Sequence, residues 1–190
     1  MRQDLLEKYR DINVDYRWWV DTYDTFRKAM RTLYGVEVDQ INFSGFCSQG
    51  DGACFTTEWG SIPTLLTALD RQDKYPEWMF FEEPPEYKVY VSDSRYSHSD
   101  DMVIELCENQ PIHDGYDGDV VGPAVWEAYV RMRDESTERL GKELLDFFRA
   151  QADTLYSMLE DMYNYLTSDE VVWDTIVANE WHLEDEDEVE

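Results

Sequence analysis

The sequence predicts an α+β protein: an antiparallel four-stranded sheet made of two hairpins and flanked by helices, followed by a long C-terminal helical hairpin. Three observations carry this prediction. Large apolar residues recur every three or four positions from Trp18 to Tyr34. Two pairs of β-prone runs in the middle of the chain flank turn-forming residues, and from about Pro123 the apolar positions return to helical spacing.

The first element is an amphipathic helix, because Trp18, Trp19, Tyr23, Phe26, Met30, Leu33 and Tyr34 form one stripe and Gly35 supplies a C-terminal stop. The period then changes. Val36, Val38, Ile41, Phe43 and Phe46 lead into Gln49-Gly50-Asp51-Gly52, and Ala53 to Trp59 follow as a second β-prone run. This pattern predicts a hairpin whose turn uses glycine for positive φ. Ser61 is placed to cap a short helix with Pro63 in its first turn and Leu65, Leu66 and Leu69 facing inward.

A Pro- and Glu-rich loop (Pro76, Glu82, Glu83, Pro84, Pro85, Glu86) ends that helix. Tyr87 to Val91 and Met102 to Cys107 then read as a second hairpin, joined by the polar stretch Ser92 to Asp101. The simplest arrangement puts all four strands in one sheet with helices on one face.

From Pro123 on, Leu140, Leu144, Phe147, Phe148, Leu155, Met158, Leu159, Met162, Tyr165 and Leu166 form a wide apolar stripe, with a break expected near Gly141. Ser168-Asp169-Glu170 restarts a last helix carrying Val172, Trp173, Ile176, Val177 and Trp181. The expected division is an α+β domain over 1–119 containing the QGDG hairpin, a helical segment over 120–183 packed on it, and an acidic tail over 184–190. The stripe reads as intramolecular core, with homodimerisation through 140–166 as the alternative.

Composition narrows function. Asp and Glu number 43 against 16 Lys and Arg, a net charge of −27 over 190 residues, while 15% of residues are aromatic. That aromatic content is too high for a disordered acidic chain. No run approaches the ~20 apolar residues of a membrane span, and the N-terminus has no apolar signal-like region. Three cysteines without CxxC spacing argue against a disulfide framework or zinc site and fit a reducing cytoplasm. Such a negative chain is repelled by nucleic acid and by anionic membranes, so neither is an expected partner. The charge is uneven: residues 1–40 hold 8 acids and 7 bases, residues 41–119 hold 16 and 4, and residues 120–190 hold 19 and 5.

Several local patterns invite chemical readings. The Ser48 to Gly52 turn has the glycines of a phosphate loop but neither its Lys-Ser/Thr nor a following helix. Cys47 and Cys54 sit on opposite arms of that hairpin, where buried thiols are the plainer reading. His98, beside Asp100 and Asp101, is the best candidate acid–base group, and Gln49, Asp51 and His98 could form a ligand site if the two hairpins meet at one rim. His113 and His182 stand alone. Asp114, Asp117 and Asp119 resemble a cation loop in composition, but Tyr116 and Gly118 occupy positions where oxygen ligands are needed, so no metal and no cofactor is expected. Tyr75 to Phe81 places aromatics in a connection beside carboxylates, a composition suited to a protein interface.

The stretch Ile41 to Phe55, with Arg95 to Met102 some 40 residues later, resembles a group of small bacteriophage-encoded proteins bearing an FSGFxSQGDGAxF signature. The match covers roughly the central third of the chain. Some members of that group are described as antitoxins of toxin–antitoxin systems, and the resemblance transfers no catalytic residue. It implies a phage origin. The chain is similar in charge, though not in sequence, to DNA-mimic antirestriction proteins.

Together these point to an acidic binding protein of the host cell cytoplasm, an anti-defence inhibitor that occupies the nucleic-acid site of a basic nuclease, restriction enzyme or other defence factor. Glu82, Glu83, Glu86, Asp114, Asp117, Asp119, Glu138, Asp146, Asp153, Glu160 and Asp161 are its expected contact residues, although Arg131, Arg133, Arg139, Lys142 and Arg149 interrupt the helical acids. The alternatives are an enzymatic or small-ligand domain using the QGDG hairpin and His98, and an antitoxin-like partner of a toxin. Acidity as solvent adaptation fits poorly with the nearly neutral first 40 residues.

Overall fold

A computed structural model describes residues 2–46, 51–79, 83–92, 97–107 and 123–181, with the backbone alone over 123–133. Cys47, Gln49, Glu82, His113, Asp114, Asp117, Asp119, His182 and the 184–190 tail lie outside the described residues. The chain forms two compact units, one from 26–155 and one from 1–25 with 156–190. This division follows spatial packing and runs along different lines from the expected boundary near residue 119.

In the larger unit, the end of helix α2 (Val20–Tyr34) stops where the sequence predicts. Gly35 turns at φ +67°, and the Val36 N–H donates back to the Met30 carbonyl (3.2 Å). The helix stripe is narrower than expected, since Phe26 and Met30 are buried whereas Leu33 is 62% exposed.

Strands β1 (Val38–Phe43) and β2 (Ala53–Thr57) form the first hairpin, with Ile41 opposite Phe55 and Asn42 opposite Cys54. The register shifts between Val38 and Ile41, where the Gln40 N–H donates to the Thr56 hydroxyl (3.1 Å). The second hairpin, β4 (Glu86–Val91) with β5 (Met102–Cys107), is regular throughout.

The expected single four-stranded sheet is not formed. The strands make a two-stranded sheet, β1-β2, and a three-stranded one, β3-β4-β5, in which β3 is the short pair Gly60–Ser61. Beside β2, the buried Val89 N–H of β4 donates to the Thr57 hydroxyl (3.0 Å), and β4 pairs with Gly60 and Ser61. Gly60 is required there, because a Cβ would lie 2.5 Å from the Tyr87 ring opposite it.

Helix α3 (Ile62–Ala68) begins as predicted, with the Ser61 hydroxyl accepting the Thr64 N–H (3.3 Å). Helix α4 (Pro123–Leu166) is continuous over 44 residues and does not break at Gly141. A Cβ at that glycine would make only an ordinary contact with Leu106, 3.5 Å away. Leu140, Leu144, Phe148, Ala152 and Leu155 of α4 are buried within the chain, as intramolecular core. Phe148 sits at the centre, 5.3 Å from the Tyr87 ring and 6.2 Å from that of Phe55.

In the smaller unit, Leu5 and Leu6 of α1 (Arg2–Lys8) pack with Val172 and Ile176 of α5 (Asp169–Ala178), surrounded by Tyr9, Trp173 and Trp181. The end of α4 leaves carbonyls that need partners. Arg10 donates to the Thr167 carbonyl (2.9 Å) and to Asp169 (2.5 Å), and the Asn13 amide donates to the Leu166 carbonyl (3.3 Å). Ser168 then caps α5 by accepting the Val171 N–H (3.4 Å), the helix restart read from the sequence. Where a C-terminal helical hairpin is expected, the chain has one very long helix, α4, followed by the short α5. Among the described residues, no helix is long and apolar enough to cross a membrane.

Candidate functional site

Two neighbourhoods of the larger unit contain residues singled out by sequence. At the turn end of the first hairpin, the Ser44 N–H donates to the Gly52 carbonyl (3.2 Å) and the Gly52 N–H donates to the Ser44 hydroxyl (3.1 Å). Gly52 lies against the segment after β4: a Cβ on it would stand 2.7 Å from the Ser97 carbonyl oxygen and 3.0 Å from His98 Nδ1. Its backbone is not in the left-handed region, so this glycine serves close approach rather than positive φ. Among the described residues of this turn, the positive φ belongs to Gly45, at +120°.

The QGDG hairpin and the His98 segment therefore meet through Gly52. The half-buried Asp51 places its carboxylate over Gly45, 3.2 Å from where a Cβ would be. His98 is also half-buried. Cys54, one strand residue inward, is fully buried; burial pushes its thiol up, a hydrogen bond with Asn42 opposes this, and the Asp101 charge adds to it. Its complete burial in β2 makes it a core group.

The segment after His98 is fixed to α4. Its short 3-10 turn, Ser99–Asp101, donates from Ser99 to Asp153 (2.8 Å), and Arg149 donates to the carbonyls of Asp100 (2.8 Å) and Met102 (3.3 Å).

The second neighbourhood is the solvent side of α4. Glu138, Asp146 and Asp153 are all exposed, and so is Glu135, which is not among the residues expected from sequence. At about 100° per residue the four fall within an arc of roughly 80°, opposite the buried ridge of Leu140, Leu144, Phe148 and Leu155. Lys142 and Arg149 share this arc. Arg149 is turned onto the backbone carbonyls just described, so Lys142 is the exposed cation that interrupts the row.

Glu143 is not part of that row. It accepts hydrogen bonds from Lys74 and from the Tyr75 hydroxyl (2.7 Å), and Arg71 lies 3.2 Å away. Burial raises its pKa, but these partners together outweigh that and hold the carboxyl below its usual range. Burial and the adjacent Glu143 push the Tyr75 phenol up. Arg139 stacks over the Tyr75 ring at 5.3 Å. Alongside, the buried Ser136 donates to Glu77 and accepts from the Trp78 indole (3.2 Å). Trp78 and Tyr75, read as candidate interface aromatics, are thus core residues.

Of the remaining expected contact residues, Glu83 is exposed and Glu86 is half-buried in β4. Glu160 and Asp161 are exposed on the part of α4 that belongs to the smaller unit. Among the described residues no group of three or more His, Cys, Asp or Glu is placed to hold a metal ion.

A family model described as a domain of unknown function, DUF8835, matches residues 18–169. No curated protein and no solved structure matches the chain.

Proposed function

We propose that this chain, which belongs to the DUF8835 family, is an acidic binding protein that competes with nucleic acid for the basic groove of a partner, in the manner of a phage-encoded anti-defence inhibitor. The observation that carries this reading is the row of Glu135, Glu138, Asp146 and Asp153, mounted on a helix whose opposite side is fixed in the core. Backbone positions on such a scaffold keep their spacing, so a complementary row of Lys and Arg is met with only the cost of side-chain ordering. The phage resemblance supplies the class of target, a host nuclease or restriction enzyme in the host cytoplasm.

Magnitudes define what kind of mimic this is. Duplex DNA carries one charge per ~1.7 Å of axis. From Glu135 to Asp153 the helix rises about 27 Å, a mean separation of roughly 9 Å between the four carboxylates. The row is therefore too sparse for a phosphate-by-phosphate copy. It acts as an anchor within the long-range field of a −27 chain, which steers the approach.

The test is displacement of labelled duplex DNA from a panel of purified restriction enzymes and nucleases at roughly 50 mM and roughly 300 mM salt. The expected result is displacement at low salt that weakens steeply at high salt. In the combined variant Glu135→Gln, Glu138→Gln, Asp146→Asn, Asp153→Asn, binding should fall about tenfold or more. Absence of displacement from every basic protein at low salt overturns the reading.

A second reading, a small-ligand or enzymatic site at the hairpin rim, is favoured by the approach of Gly52 to His98 alone. Calorimetric titration with small anions would support it only if His98→Ala abolished a measurable heat.

A further inference from the structure

A shallow groove of about 370 Å³ lies on the smaller unit, on the first turns of α2 and the last turns of α4. Thr22 forms part of its lining and is almost completely buried, at 4% exposure. Met158 and Met162, both half-buried, and Tyr165, 61% exposed, supply the apolar walls. Asp21 and Asp161, both exposed, add carboxylates to the lining.

We infer that this groove docks a cationic amphipathic helix of a partner protein, with apolar side chains between the methionines and lysines or arginines at Asp21 and Asp161. The inference uses a different surface from the acidic row, and neither depends on the other.

Three observations select this occupant. Met158, Asp161, Met162 and Tyr165 follow i, i+3, i+4, i+7 spacing, the repeat that an inserted helix presents in return. Methionine walls are unbranched and polarizable and adapt to varied apolar side chains. Charge then decides between occupants. From Ala150 to the C-terminus the sequence has 13 acids and no Lys or Arg, so nothing on that stretch offsets the lining carboxylates. The chain's own 184–190 tail, six acids in seven, is repelled from them, and a second copy brings another −27. A basic segment gains both apolar burial and attraction.

The test is a titration of the full chain, ¹³C-labelled at its methionine methyls, with a synthetic helical peptide carrying leucines at i, i+3, i+4 and i+7 and lysines elsewhere. A peptide of the same composition in scrambled order serves as control. Saturable shifts confined to Met158 and Met162, with Met79 of the other unit unmoved, are expected. Met162→Ala should weaken binding about tenfold. The surface variant Asp21→Asn, Asp161→Asn, which leaves the core untouched, should weaken it several-fold and flatten its salt dependence. Equal shifts from the scrambled peptide, no shift at all, or shifts that appear on concentrating the chain without peptide overturn the inference, the last by identifying a second copy as the occupant. Failure of DNA displacement leaves this titration unchanged, and the converse also holds.

Discussion

The two units handle the same excess of acid differently. In the larger one, carboxylates are drawn into the scaffold: Glu143 is held by Lys74, Tyr75 and Arg71, and Glu77 by Ser136. Two of its cations are engaged as well, Arg139 over Tyr75 and Arg149 on two backbone carbonyls, while Lys142 stays exposed. The smaller unit concentrates its cations in its N-terminal segment, where Arg10 ties off the end of α4 and Arg2 lies over Trp173, while residues 156–190 contribute 12 acids and no base. Net charge is thus a poor guide to presented charge. A carboxylate drawn into such a network, as Glu143 is, is withdrawn from recognition, whereas an exposed one such as Asp153 is still presented although it accepts from the Ser99 hydroxyl.

The contrast breaks most sharply at the cores. Phe148→Ala empties the centre of the larger unit and should cost about 3–5 kcal/mol, read from urea unfolding. Ile176→Ala should cost about 2–4 kcal/mol, and its loss of amide protection should concentrate in α1 and α5 while β1 and β2 stay protected. Uniform loss of protection in both variants would show that the units do not open separately. Gly60→Ala comes next. Its new methyl meets the Tyr87 ring at 2.5 Å, an overpacking of about 1–3 kcal/mol. The strain should be relieved in the double variant with Tyr87→Ala, relative to the sum of the single effects; additivity would mean that the ring is not what excludes the methyl.

Gly60 also marks the limit of what the sequence discloses. Features set by neighbouring residues are legible: the stop at Gly35, the cap at Ser61, the restart at Ser168 and the regular β4-β5 hairpin each follow from local chemistry. The split of the sheet is not, because the contacts at the split, such as the Val89 N–H on the Thr57 hydroxyl, join residues 32 apart. Strand β3 is two residues of low strand propensity and exists only because Tyr87 and Glu86 pair with it. For the site, helical periodicity alone places Glu138, Asp146 and Asp153 on one side of α4, and would have included Glu135. Periodicity could not say that Glu143 is sequestered, since its partners Lys74 and Tyr75 come from a distant loop. Gly52 was read for its turn chemistry, whereas its function is to let the His98 segment approach, a contact without local signature.

The smallest effect is at Glu143. Its carboxyl is held below the usual glutamate range by Lys74, Tyr75 and Arg71. A group whose folded pKa is lowered contributes stability that is fully present above its unfolded value and is lost as pH falls through the folded one. Glu143→Gln should therefore cost about 1 kcal/mol at pH 7, with the difference from the native chain shrinking on acidification below about 4.5. The native chain alone is an ambiguous probe, because lowering pH toward the sequence pI of about 4.2 also relieves repulsion among its 43 acids and acts in the opposite direction. Subtracting the two urea midpoints at each pH removes that shared term. A difference that stays constant down to pH ~3 would mean that the Lys74, Tyr75 and Arg71 contacts do not discriminate the ionised carboxyl from its neutral form, and Glu143 would then belong with the presented acids of α4 instead of with the scaffold.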